Sequence, residues 1–167
     1  MSRKVSFISF IESPNVKIYS YTLDGNSVSE AERTLNEFSS ITNKFLKEDL
    51  YRIITAIDKI SENGALESYF RPEGKFKDNV CAIPLLVDKR KKRGKSGTLR
   101  VYCIRISAQL LIIGGGGIKT TSTYQEDEIL NKCVSDLQAI DKKLALKSKK
   151  ENINLEDGLD NIKINIQ

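Results

Sequence analysis

The sequence predicts one α+β domain in which an antiparallel sheet carries two consecutive helices and a C-terminal helix. Strand-like segments occur at the start and in the second half of the chain, and two amphipathic helical segments lie between them. A longer helical segment then follows. A chain of 167 residues with 40% hydrophobic and 29% charged residues is long enough to bury a core. We therefore expect a single domain over residues 1–147, with a tail over residues 148–167.

Two strands are predicted at the N-terminus, over residues 4–11 and 16–23. Both segments mix β-branched and aromatic residues with partial alternation, and the Ser-Pro-Asn sequence at 13–15 between them is typical of a turn.

Two consecutive helices are predicted next. Ser29 and Glu32 have the spacing of a capping box, which satisfies free amides at the start of a helix. Apolar residues then recur on one stripe, and residues 45–60 repeat this pattern up to Asn63-Gly64, a good helix end. The two segments form a hairpin or one long helix with a bend, and in either case the stripe must cover a sheet.

An antiparallel meander is predicted over residues 80–87, 99–106 and 109–113. A final helix is expected from about residue 125 to 146, because acidic residues at its start and lysines near its end suit the helix dipole. In the tail, Ile162, Ile164 and Ile166 alternate with polar residues. The tail is therefore either disordered or a strand that pairs with the N-terminal segment or with a partner.

The composition restricts the chemistry. Histidine is absent, so catalysis would depend on Lys, Arg, Tyr or carboxylates. The cysteines Cys81, Cys103 and Cys133 are widely spaced in apolar surroundings and are predicted to be small buried residues. No metal or other cofactor is expected. No apolar run approaches the ~20 residues of a membrane span and no secretory signal is visible, so a cytoplasmic protein without membrane association is expected.

Positive charge is concentrated in one run. The formal net charge is +5, and six basic residues occur between positions 89 and 95: Lys89, Arg90, Lys91, Lys92, Arg93 and Lys95. This run is either a solvated loop or a contact for a nucleic-acid backbone, to which it would add affinity without sequence preference.

The four glycines at 114–117 have two interpretations. They allow another backbone or a phosphate to approach closely, or they mark a strand that bends or ends. They do not form a P-loop, because Ile118 separates them from Lys119.

Arg100, Lys119 and Tyr124 are the candidate catalytic residues. Alternation places Arg100 on the opposite side of its strand from Leu99 and Val101, where it faces either an internal salt bridge or a functional concavity. Lys119 and Tyr124 follow the next strand and are expected near the same end of the sheet. Such a set suits RNA cleavage by the 2′-hydroxyl, in which Lys or Tyr assists proton transfer and Arg and Lys stabilise the transition state.

The order of these elements resembles the RelE/ParE superfamily of bacterial toxins. The resemblance rests on the segment TLRVYCI at 98–104, followed by QLLIIGGGGIKTT at 109–121, and extends over residues 16–146. It implies a helical hairpin and a C-terminal helix packed on an antiparallel sheet. Residues 1–15 would then be an extra N-terminal strand, and residues 88–98 a basic loop insertion.

The resemblance also implies site residues and partners. Arg100 matches the strand arginine that contacts the scissile phosphate, while Lys119 and Tyr124 fall near a second basic position and a catalytic tyrosine. Lys75 and Lys77 lie closest to the family's strand lysines and, with the basic run, are predicted to bind nucleic acid. The implied partners are a cognate antitoxin protein and RNA or the ribosome, with a homodimer left open.

The sequence is consistent with three functions. The leading hypothesis is a toxin that acts as a metal-independent, ribosome-associated mRNA endonuclease. The second is a non-catalytic, ParE-like toxin or protein-interaction module, and the third is a salt-sensitive nucleic-acid-binding domain that depends on the basic run.

Overall fold

The computed structural model describes residues 1–70, 78–85 and 96–167. In these residues the α+β class is confirmed. Six strands and three helices follow in the order β1 (Arg3–Glu12), β2 (Lys17–Leu23), α1 (Glu30–Ser39), α2 (Lys44–Asn63), β3 (Val80–Ala82), β4 (Thr98–Ser107), β5 (Leu110–Lys119), α3 (Glu128–Glu151) and β6 (Lys163–Ile166). No helix in the described ranges has the length and apolar character needed to cross a membrane.

The strands form one sheet in the order β3-β4-β5-β2-β1-β6. The expectation of a purely antiparallel sheet is wrong at one place, because β2 and β5 pair in parallel from Lys17–Leu110 to Tyr19–Ile112. Antiparallel neighbours can be joined by tight turns, whereas parallel neighbours need a long crossover. The chain between β2 and β5 includes both α1 and α2, which is enough for such a crossover.

Helices cover both faces of the sheet. The apolar sides of α1 and α2 pack with Ile18, Leu99, Val101 and Ile113 on one face. On the other face, α3 packs with a second set of strand residues that includes Tyr102 and Ile112. The central strands β2 and β5 are consequently buried on both faces along almost their whole length.

The predicted helix start at Ser29 is confirmed, and Asn43 caps the next helix in the same way. The Ser29 hydroxyl accepts a hydrogen bond from the backbone N–H of Glu32, and the Asn43 side chain accepts from Phe45 and Leu46 at the start of α2. Two isoleucines of the helices are exposed: Ile54 on α2 and Ile129 on α3. A further difference is that α3 runs from Glu128 to Glu151, beyond its expected end.

The C-terminal residues complete the sheet. Strand β6 pairs antiparallel with β1, from Arg3–Ile166 to Ser6–Lys163. Ile164 and Ile166 are buried beneath α3, whereas Lys163 and Asn165 are exposed. The isoleucine alternation therefore marks a strand that pairs with the N-terminal segment, one of the two outcomes left open by the sequence.

Candidate functional site

Strand β5 continues through the four glycines instead of ending before them. Its pairing with β4 shifts between Val101–Gly116 and Cys103–Ile113, so two residues, Gly114 and Gly115, lie opposite one residue of β4. This is the geometry of a β-bulge. The expected end of the strand at residue 113 is wrong, because a bulge bends a strand without terminating its ladder.

The glycines are required by close packing. A Cβ atom on Gly114 would lie 2.9 Å from a methyl carbon of Leu137 in α3. A Cβ atom on Gly116 would overlap the carbonyl oxygen of Arg100 and lie 2.9 Å from the Cα of Val101. The geometry contains part of each interpretation of the run, because the strand bends at the bulge and another backbone approaches it closely.

A serine side chain links β2 to β5 beside the bulge. The β2–β5 ladder stops at Tyr19–Ile112. Beyond it, the Ser20 hydroxyl donates to the carbonyl of Ile113 at 2.7 Å and accepts from the N–H of Ala31 at 3.0 Å. Ser20 therefore joins β2, β5 and the start of α1 where main-chain pairing has ended.

Helices α1 and α3 approach each other at Gly115. A Cβ atom on this residue would lie 3.2 Å from the Sγ of Cys133 and 3.4 Å from a guanidinium nitrogen of Arg33. Arg33 is held by ion pairs of 2.8 Å to Glu30 and Glu37. Burial raises the pKa of the Cys133 thiol to about 11, although the Arg33 charge opposes this change. The predicted burial is confirmed for Cys81 and Cys103, whereas Cys133 is partly exposed.

Arg100 lies on the face of the sheet that α3 covers. Its neighbours at alternate positions, Tyr102 and Ile104, belong to the core on that face, and the residues between them belong to the opposite core. The side chain is half-buried. It makes no ion pair or side-chain hydrogen bond with any residue in the ranges that the structure describes.

Lys119 shares this face with Arg100. Gly117 is the cross-strand partner of Arg100, and a Cβ atom on Gly117 would lie 3.2 Å from Leu130 of α3. Lys119 is two residues further along β5 and therefore faces the same way. It pairs with Thr98, so Arg100 and Lys119 are diagonal neighbours at one end of the sheet.

Tyr124 reaches the same region but is buried. It begins a short 3-10 turn, Tyr124–Glu126, before α3, and only 8% of its surface is exposed. Its ring packs edge-to-face on Tyr102, with 6.2 Å between the ring centroids. The aromatic pair contributes to the core beside Arg100.

The remaining predicted site residues lie outside the described ranges. These are Lys75, Lys77, Lys89, Arg90, Lys91, Lys92, Arg93 and Lys95. In the part of the chain that is described, no three His, Cys, Asp or Glu side chains are grouped as a metal ion would require.

A groove beside α2 was not predicted from the sequence. It has a volume of about 450 Å³ and lies between one side of α2, the segment at Ser68-Tyr69, and Pro84. Tyr51, Arg52 and Lys59 line it from α2, and the Lys59 ammonium lies 5.2 Å from the centre of the Tyr69 ring. The available signal was Tyr51, an aromatic residue that lies off the apolar stripe and is 72% exposed.

Comparisons with protein-family models, with curated proteins and with solved structures found no match for this chain.

Proposed function

We propose that this chain is the toxin of a toxin–antitoxin pair, and that it cleaves messenger RNA on the ribosome as the RelE branch of the RelE/ParE superfamily does. The resemblance rests on the order of elements: a strand, two helices, three antiparallel strands and a helix, which correspond here to β2 to α3. The observation that carries the proposal is the position of Arg100, half-buried on an interior strand without a described partner.

The electrostatic argument concerns the guanidinium of Arg100. A cation removed from water costs free energy unless an anion or hydrogen-bond acceptor accompanies it. The phosphate of an RNA chain supplies both, and arginine can bind it through two parallel hydrogen bonds. Lys119 on the same face supplies a second positive charge for the same phosphate.

The proposed reaction needs no metal ion. The 2′-hydroxyl loses its proton and attacks the adjacent phosphorus, and the bond from phosphorus to the 5′-oxygen breaks. The leaving 5′-oxygen takes up a proton, so the products carry a 2′,3′-cyclic phosphate and a 5′-hydroxyl. Arg100 and Lys119 would stabilise the charge on the phosphorane, and Tyr124 would assist proton transfer.

A non-catalytic toxin is the second candidate, and the burial of Tyr124 favours it. A general acid or base must come within hydrogen-bond reach of the reacting group. With 8% of its surface exposed and its ring packed on Tyr102, Tyr124 is placed as a core residue. In that case Arg100 and Lys119 would bind an anionic surface of a protein target, and RNA would stay intact.

The decisive experiment uses ribosomes programmed with a defined mRNA and the purified full chain. Wild-type protein should produce cleaved mRNA with cyclic phosphate ends, and a single 2′-deoxy nucleotide at the cleavage position should block cleavage there. Arg100→Ala should lose about 100-fold or more in cleavage rate. Its thermal unfolding should be unchanged, because no described residue pairs with the side chain.

Further variants separate the two candidates. Lys119→Gln should also slow cleavage, while the exposed α3 residue Lys142 serves as the matched control, with Lys142→Gln as active as wild type. Growth arrest on induced expression with intact mRNA would reject the endonuclease and favour the non-catalytic toxin. Growth that is unaffected by wild-type expression would contradict both.

A further inference from the structure

The groove beside α2 combines an exposed ring with two cations. Tyr51, Arg52 and Lys59 occur at positions that share one side of the helix, and Tyr69 and Pro84 form the opposite wall. No carboxylate is among the described residues that line it. Asp58 and Glu62 lie on the same helix but do not line the groove, and neither makes an ion pair with Lys59.

The cations are held in place by their neighbours. Lys59 is positioned over the Tyr69 ring at cation–π distance, and Tyr69 in turn accepts a hydrogen bond from Asn63 at 3.2 Å. Arg52 lies 3.5 Å from the buried carboxylate of Asp49. The Tyr51 side chain, by contrast, has no hydrogen-bonding or ring partner among the residues described, so one face is open for stacking.

We propose that this groove binds one nucleotide unit of single-stranded RNA, with the base stacked on Tyr51 and the phosphate held by Lys59 and Arg52. Single-strand binding sites combine an aromatic platform with positive charge for the backbone. Here Tyr51 supplies the ring, and Arg52 and Lys59 supply the charge.

The size of the groove favours a nucleotide over a protein segment. Its volume of about 450 Å³ falls within the range of pockets for small molecules, roughly 300–1,000 Å³. A stable protein interface needs about 800 Å² from each partner, which is more than a single concave site of this kind offers. An acidic peptide is therefore the less favoured occupant, although it is negatively charged like the phosphate of a nucleotide.

This site is separate from the one proposed for cleavage. The groove lies on the α1–α2 side of the sheet, and Arg100 faces the α3 side. The groove would hold a stretch of RNA away from the reacting phosphate. Binding there does not depend on catalysis, so the two proposals can fail independently.

The test is fluorescence anisotropy with a short fluorescein-labelled oligouridylate and the purified full chain. Tyr51→Ala should weaken binding by about 10- to 100-fold, whereas Tyr51→Phe should bind within about 3-fold of wild type because it keeps the ring. Lys59→Gln should weaken binding. It should also lower the slope of the logarithm of the binding constant against the logarithm of the salt concentration by about one, because one phosphate contact is lost. Lys142→Gln, on the opposite side of the molecule, is the charge control and should have little effect.

A second measurement locates the RNA. Photo-cross-linking with iodouracil-substituted oligonucleotide should label the peptide that contains Tyr51. Arg100→Ala should retain the cross-link to that peptide even though it loses cleavage. Wild-type affinity in Tyr51→Ala, or cross-links found only outside α2 and the Tyr69 segment, would overturn the proposal. Equal competition by polyglutamate at the Tyr51 site would overturn it as well.

Discussion

Gly116 lies against the backbone of Arg100 so closely that the smallest side chain would overlap the Arg100 carbonyl oxygen. The two residues are on adjacent strands, where β5 leaves its bulge and resumes pairing with β4. The position of Arg100 therefore depends on a residue without a side chain in the next strand. The geometry makes the glycine run part of the scaffold of the candidate site.

We predict that Gly116→Ala destabilises the protein by about 3 kcal/mol or more, because the obstructing atoms belong to a backbone that cannot move aside. Urea unfolding measures this directly. Gly117→Ala is the control: its nearest obstruction is a methyl carbon of Leu130 at 3.2 Å, which can shift slightly. If Gly116→Ala lowers the free energy of unfolding no more than Gly117→Ala does, the close approach of Gly116 to Arg100 is not maintained in solution.

Asp49 should stabilise the start of β4. Its buried carboxylate accepts the backbone N–H of Leu99 at 3.1 Å, at a point of β4 beyond its pairing with β3. Asp49→Ala leaves this amide without an acceptor and should cost about 1–3 kcal/mol. Asp49→Asn retains a carbonyl oxygen and should cost less.

Asp58→Ala is the matched control for Asp49, because Asp58 is an exposed carboxylate on the same helix. It should change the free energy of unfolding by no more than about 0.5 kcal/mol. Equal effects of the two alanine substitutions would argue against the hydrogen bond to Leu99 as a source of stability.

The ion pair between Arg3 and Asp136 should stabilise the fold more than the ion pair between Lys147 and Glu151. Arg3 donates to both oxygens of Asp136, at 2.8 and 2.6 Å, and fastens β1 to α3 with side chains only 22% and 10% exposed. Asp136→Ala should destabilise by about 2–4 kcal/mol, because it leaves a half-buried guanidinium with fewer partners. Glu151→Ala breaks an exposed pair and should cost at most about 0.5 kcal/mol. Thermal unfolding of the two variants checks this ranking. Similar decreases in melting temperature for both would contradict it.

Cys133 should make stability fall at alkaline pH. Burial raises the pKa of its thiol to about 11, above the ordinary value of 9.0. Between these values the unfolded chain releases the proton and the folded chain keeps it, so the contribution is present below pH 9 and is lost as pH rises to 11. Tyr21 acts in the same direction, because burial raises its pKa as well.

A comparison of wild type with Cys133→Ala isolates the thiol. Urea unfolding on either side of this pH window should show a smaller alkaline loss in the variant, by about 2 kcal/mol. In native wild-type protein near neutral pH, iodoacetamide should react with Cys133 far more slowly than after unfolding. Identical pH profiles for the two proteins would mean that the thiol titrates normally in the folded state.

Local patterns in the sequence determined much of this protein. Capping at Ser29, the apolar stripes of the helices, the alternation along β4 and the isoleucines of β6 each depend on neighbours within a few residues, so they could be recognised without coordinates. The same alternation placed Arg100 on the opposite side of its strand from Leu99 and Val101. These features follow from the repeat of a helix or a strand, which is fixed by backbone geometry.

Only the tertiary structure decided how those elements meet. The parallel pairing of β2 with β5 depends on strands almost one hundred residues apart, and the bulge at Gly114 and Gly115 depends on α3 resting above it. The burial of Tyr124 against Tyr102 and the groove beside Tyr51 likewise arise from contacts between distant segments. Periodicity tells which side of an element is apolar, but packing decides which distant surface covers it and which side chains remain open to a ligand.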